Sequence, residues 1–135
     1  MSTFALDTNI ISFLLRHNSA VATRLQQEND RGNMITVPPL VYYEVRRGLI
    51  SDNSTKRLRS FEYFCEDTSI GEMNLEAYDE AARQYAKLRS IGRPIGDADI
   101  LIAAFCIVNN CTLVTNNTKH FGLVDGLQIV DWTEQ

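Results

Sequence analysis

The chain has 135 residues, 44% hydrophobic and 22% charged, with a net charge of −4. That length holds one core and predicts a single domain over residues 1–135. No stretch reaches the ~20 apolar residues a membrane helix needs, and no basic run leads into an apolar segment as a secretory signal would.

The acidic balance also lacks the basic surplus that drives non-specific nucleic-acid binding, so any contact with phosphates needs a local basic patch. Cys65, Cys106 and Cys111 lie in apolar surroundings with no Cys-x-x-Cys pair. An odd, scattered set predicts free thiols filling the core of a protein in a reducing cytoplasm.

Phe4 to Leu6 is a short apolar run that reads as a strand buried on both faces. Asp7 stands where the chain leaves the sheet, and Thr8 and Asn9 start a helix over Ile10 to Leu15. Ser19 is placed to cap a helix from Ala20 to about Asp30, closed by Gly32. Met34 to Val37 predicts a second strand. Pro38 and Pro39 end it and suit the first turn of a helix from about Leu40 to Arg47, with Gly48 as its stop.

Ser51 to Thr55 is a polar turn, and Lys56 to Cys65 a basic-faced helix with Leu58, Phe61 and Phe64 inward. Thr68 to Ile70 predicts a short strand. Asn74 caps a helix from Leu75 to about Ser90, whose Leu75, Tyr78, Ala82, Tyr85 and Leu88 follow the helical period. Gly92 to Gly96 is a loop. Asp97 to Val108 is apolar nearly all round and so predicts a buried helix. Thr112 to Thr115 is a core strand, Asn116-Asn117, Phe121-Gly122 and Asp125-Gly126 are turns, and Leu127 to Val130 is a last strand. Strands alternating with helices predict a parallel sheet with helices on both faces.

Four polar positions share one structural address in this scheme. Asp7 follows the first strand, Glu44 lies in the helix after the second, Asp97 and Asp99 open the buried helix, and Asn116 and Asn117 follow the fourth strand. In a doubly wound sheet such points can converge at the carboxyl edge, where ligands bind, though the sequence alone does not show that they do. Asp7 reads equally as a cap. Asp97 suits an N-cap, and its charge suits the helix dipole. Glu44 can pair with Arg47, three residues on. Asp99 is harder to explain so simply, because its helical neighbours are apolar and a buried, unpaired carboxylate costs several kcal/mol, of the order of about 3–5.

Converging carboxylates stay ionised together when a cation neutralises them, and hard oxygen ligands select Mg²⁺ or Mn²⁺. Such a site suits phosphodiester hydrolysis, since the ion polarises the phosphate, lowers the pKa of a water and steadies the leaving oxygen.

These residues resemble the PIN-domain ribonucleases, and specifically the VapC toxin family of type II toxin–antitoxin pairs. The resemblance rests on Leu6-Asp7-Thr8-Asn9-Ile10, Glu44-Val45-Arg46-Arg47-Gly48, Gly92-Arg93-Pro94-Ile95-Gly96-Asp97-Ala98-Asp99, Leu101-Ile102-Ala103-Ala104, and Leu113-Val114-Thr115-Asn116-Asn117 with Phe121 after it. They stand in family order across nearly the whole chain. The Gly-Arg-Pro and Thr-Asn-Asn segments are similar to those of members that cleave initiator tRNA.

The resemblance implies a three-layer α/β/α fold around a mainly parallel sheet of four to five strands. It implies catalytic roles for Asp7, Glu44, Asp99 and Asn117, with Asp7, Glu44, Asp99 and Asp97 as ligands for Mg²⁺ or Mn²⁺. Relatives often carry a further acid at the position of Asn117 or His120. Here neither is acidic, so either Asn117 positions a water or three carboxylates hold the ion. It also implies a homodimer and a cognate antitoxin that covers the site with a basic side chain.

Candidate RNA contacts are Thr8, Asn9, Arg46, Arg47, Arg89, Arg93, Lys119 and His120, the last two being nearest the Asn pair. The expected activity is metal-dependent RNA hydrolysis, with tRNA a candidate substrate. The rivals are a PIN-fold interaction module without turnover, favoured by the missing fourth acid, and a Mg²⁺-dependent phospho-accepting domain. The second would want paired acids after the first strand, where Asp7 stands alone.

Overall fold

Strands buried on both faces read as continuous apolar runs, and their connections in a parallel sheet must cross over through helices. The computed structural model describes residues 1–134, and every strand connection crosses over through a helix. Strands β1 (Thr3–Leu6), β2 (Met34–Val37), β3 (Ser69–Ile70), β4 (Thr112–Val114) and β5 (Gln128–Val130) form one all-parallel sheet in the order β3-β2-β1-β4-β5. The buried apolar runs are β1, β2 and β4, while the edge strand β3 is exposed. Register places Ala5 beside Thr36 on one side and Leu113 on the other. The helices are α1 (Thr8–Leu15), α2 (Ser19–Asp30), α3 (Pro39–Ser51), α4 (Thr55–Glu66), α5 (Leu75–Ser90), α6 (Asp97–Val108) and the short α7 (Thr118–Phe121). They complete a three-layer α/β/α architecture.

The order of strands positions the site. From β1 the chain steps outward through β2 to β3, then returns by α5 and α6 to the opposite flank of β1. Connections therefore diverge between β1 and β4, and the carboxyl ends of those two strands open a crevice. Both strands end in buried apolar residues, Leu6 and Val114, which pair directly. The core continues through Val37, Phe61, Ile102 and Phe121, and Trp132 closes it against Phe4 at 5.4 Å between ring centroids. Gly71, just after β3, lies directly against the Phe105 ring, so any side chain there would collide with α6.

Several element boundaries differ from the sequence expectation. Asn18, not Ser19, caps α2, its side chain accepting from the Val21 N–H at 3.1 Å. Helix α3 runs through Gly48 to Ser51, because the packing of Leu49 against the core outweighs one glycine's helix cost of about 1 kcal/mol. Gly96, not Asp97, is the N-cap residue of α6. Residues 118–121 coil into α7 instead of a plain turn.

The largest revision concerns α5. Its buried face is Ala77, Ala81, Gln84 and Leu88, while Leu75, Tyr78 and Tyr85 are 76%, 51% and 41% exposed. The three cysteines are free, and burial pushes their thiols upward in pKa, so they pack as neutral groups. Among the described residues no helix is long and apolar enough to cross a membrane.

Candidate active site

Asp7 is the pivot of the crevice. Its backbone N–H donates to Val114 O across the sheet, so the residue is still held by β4. Its carbonyl accepts from Ile10 and Ile11, so it already belongs to α1. Its side chain caps that helix, Oδ1 accepting from the Thr8 N–H at 2.8 Å. The other oxygen, Oδ2, accepts from the Thr115 hydroxyl at 2.7 Å. Cap and functional carboxylate are thus one group. Only 6% of Asp7 is exposed. Burial raises its pKa above the usual carboxylate value, and the negative charges of Asp99 and Glu44 push the same way, against the two hydrogen bonds.

Glu44 reaches the crevice from α3. Its Oε1 accepts from the Thr8 hydroxyl at 2.8 Å, and Arg47 approaches Oε2 at 3.9 Å. Thr8 therefore ties two acids together, with its backbone on Asp7 and its side chain on Glu44. Arg47 is anchored in turn over the Tyr43 ring, 5.0 Å from the centroid.

Asp99 enters from the first turn of α6 and is less enclosed than its apolar neighbours suggested, with 30% of its side chain exposed. It is also not unpaired, because His120 Nδ1 lies 3.4 Å from its Oδ2. The same nitrogen lies 3.3 Å from the Asn117 amide. One ring nitrogen cannot donate to Asp99 and accept from Asn117 at once, so the imidazole tautomer and the amide orientation are linked.

The loop after β4 is fixed by a residue that sequence reasoning passed over. Thr115 is fully buried, and its hydroxyl donates to Asp7 and accepts from the Asn117 N–H at 3.0 Å. The available clue was a hydroxyl ending the apolar run Leu113-Val114, where a buried polar atom demands partners. Asn9 Nδ2 donates to Asn116 Oδ1 at 3.4 Å, a second link between α1 and this loop.

The structure therefore draws together Asp7, Thr8, Asn9, Glu44, Arg47, Asp99, Asn117 and His120. Lys119 is exposed on α7 beside them. Asp97 is exposed too, but it lines a hollow with Ala81, Tyr85 and Leu101 on the α5 side of the helix. Arg46 turns to Glu62 on α4 at 3.4 Å, and Arg89 donates to the Tyr85 hydroxyl at 2.8 Å along α5.

Among the described residues no three His, Cys, Asp or Glu side chains close tightly enough around a point to enclose an ion unaided. The donor chemistry nevertheless fits a hard divalent cation. The site supplies carboxylate oxygens, and burial with like charge makes Asp7 costly to ionise alone. Mg²⁺ keeps several of its own waters, so it needs no closed protein cage.

Sheet order and acid placement define the class. The chain belongs to the PIN-domain family, whose model matches residues 4–127. Within that family its relatives are VapC proteins. It is 32% identical over 139 residues to a Haemophilus influenzae (strain R2866) protein named Ribonuclease VapC1, covering 97% of this chain and 98% of that one. It is 29% identical over 137 residues to the tRNA(fMet)-specific endonuclease VapC of Shigella flexneri, covering 98% and 100%. The solved structure of VapBC2 from Rickettsia felis, bound to a DNA fragment from its promoter, matches with a TM-score of 0.90 at 25% identity over 96% of this chain and 98% of that one.

Proposed function

We propose that this single PIN-like domain is an Mg²⁺- or Mn²⁺-dependent endoribonuclease of the cytoplasm, and the toxin of a type II toxin–antitoxin pair. The observation that carries the reading is the meeting of Asp7, Glu44 and Asp99 where β1 and β4 diverge, in a chain similar to VapC ribonucleases over nearly its full length.

Asp7, Glu44 and Asp99 would hold the divalent ion. When bound, the ion neutralises the acids, polarises the scissile phosphate and makes a water acidic enough to act as nucleophile. Thr115 and Thr8 keep the Asp7 and Glu44 oxygens aimed into the crevice through their hydrogen bonds. Asn117 and His120, beside Asp99, orient water or a phosphate oxygen by hydrogen bonding in place of a fourth acid. Arg47 and Lys119 flank the acids and offer positive charge to the RNA backbone.

Initiator tRNA is the favoured substrate, supported by the likeness to the tRNA(fMet)-specific enzyme. The partner is an antitoxin that places a basic group against the acids. The exposed apolar face of α5 suits a homodimer contact.

The test is cleavage of total RNA and initiator tRNA by partner-free protein with Mg²⁺, Mn²⁺ or chelator. Discrete products that require the metal are expected, with a loss of at least ~100-fold in Asp99→Asn, the rate equivalent of about 3 kcal/mol of transition-state stabilisation. A folded, metal-loaded protein that cleaves nothing would establish instead the interaction module that the non-acidic Asn117 and His120 favour.

A further inference from the structure

A cleft of about 220 Å³ between α1, α3 and α4 shares Thr8 and Glu44 with the acid crevice. Gly48 and Asp52 of the α3 end line it, together with Arg16 and Arg57. Arg16 is the C-cap residue of α1, and Arg57 lies in the first turn of α4. A Cβ added at Gly48 meets nothing within 4 Å, so the space beside it is open.

Half of the ten arginines are already engaged with carboxylates. Arg24, Arg31, Arg46, Arg47 and Arg83 all stand in ion pairs. Among the described residues Arg16 and Arg57 make none, although Asp52 lines the same cleft. Both are exposed. Two unpaired guanidinium forks facing one polar cleft match phosphate geometry. They matter more in a chain of net charge −4, whose acids repel the very backbone that must reach them.

We infer that Arg16 and Arg57 bind the RNA backbone next to the scissile phosphate, which gives the strand a path from Lys119 and His120, across the acids, into the α1–α3–α4 cleft. This rests on the nuclease reading but deepens it, because it assigns two substrate contacts and a direction for the chain. Neither arginine touches the reacting atoms in this scheme, so the contacts govern binding and not the chemical step.

The experiment measures binding of a fluorescent single-stranded RNA to wild type and to the Arg16→Gln/Arg57→Gln double variant in chelator, across a salt series. The plot of log affinity against log salt should flatten by about 1.4 in the double variant, at about 0.7 per phosphate lost, and affinity at low salt should fall about tenfold. In Mg²⁺ or Mn²⁺ the variant should raise KM and leave kcat unchanged. Arg59→Gln, another unpaired charge on α4 outside the cleft, should alter none of these. Equal flattening by Arg59→Gln would overturn the inference in favour of a diffuse field. Unchanged RNA binding together with weakened inhibition by the antitoxin would also overturn it and make the cleft a protein-docking site. If wild type binds RNA with the expected slope difference yet never cleaves, the path stands and the nuclease reading falls.

Discussion

At the scale of single residues, Asp7 does two jobs whose demands conflict. As a cap it benefits from charge, since it accepts from the Thr8 N–H at the positive end of α1. As a buried acid facing Asp99 and Glu44 it is penalised for that charge, and the penalty prevails because its pKa is raised. A raised folded-state pKa means protonation favours the fold. That stabilisation is complete below the ordinary carboxylate pKa and is lost as pH rises through the folded value.

At neutral pH without metal, Asp7→Asn should therefore melt a few degrees above wild type, at about 3–6 °C per kcal/mol for a domain this size. The gap should close as pH falls into the acid range. Mn²⁺ should raise the melting temperature of wild type and not of the variant. A variant less stable than wild type at pH 7 would show that the cap outweighs the repulsion. That Asp7, Asp99 and Asn117 lie near one edge of the sheet was legible in the sequence, because they follow a strand or open a helix, whereas Glu44 lies in the middle of α3 and was singled out by the family resemblance. Thr115 was not, since nothing in a lone threonine announces that both partners of its hydroxyl lie elsewhere in the fold.

At the scale of elements, α5 presents two stripes at helical spacing, and the sequence favours the wrong one. Leu75, Tyr78 and Tyr85 carry more apolar surface than Ala77, Ala81 and Gln84, so periodicity alone selects the larger residues for the core. The structure buries the small stripe because α5 packs along α6, and small side chains let two helices approach closely. The large stripe is left facing outward. Leu75→Glu/Tyr78→Glu should leave the melting temperature of the monomer nearly unchanged while sedimentation velocity shows loss of a dimer. A dimer that survives both substitutions would place the contact elsewhere. The same limit explains α3, whose end depends on packing at Leu49, and α7, which is too short for any period to reveal. The positions of β1, β2 and β4 were legible because apolar runs of three or four residues between turns admit few alternatives, whereas β3 is only two exposed residues, Ser69 and Ile70.

At the scale of the whole molecule, the core is closed without help from the crevice. Val37, Phe61, Phe121 and Trp132 are buried on all sides, so the fold does not depend on an ion. Chelation should abolish RNA cleavage yet leave the far-UV circular dichroism spectrum unchanged, and returning Mn²⁺ should restore activity without a refolding step. Loss of helical signal on chelation would mean that metal and fold are coupled. The hydrogen bond from Thr115 to Asp7 joins residues 108 apart. A growing chain on the ribosome thus displays Asp7 and Glu44 long before it can seat β4 beside β1. The candidate site is therefore incomplete throughout most of the chain's synthesis, and an inhibitor has until the last strands dock to be waiting for it.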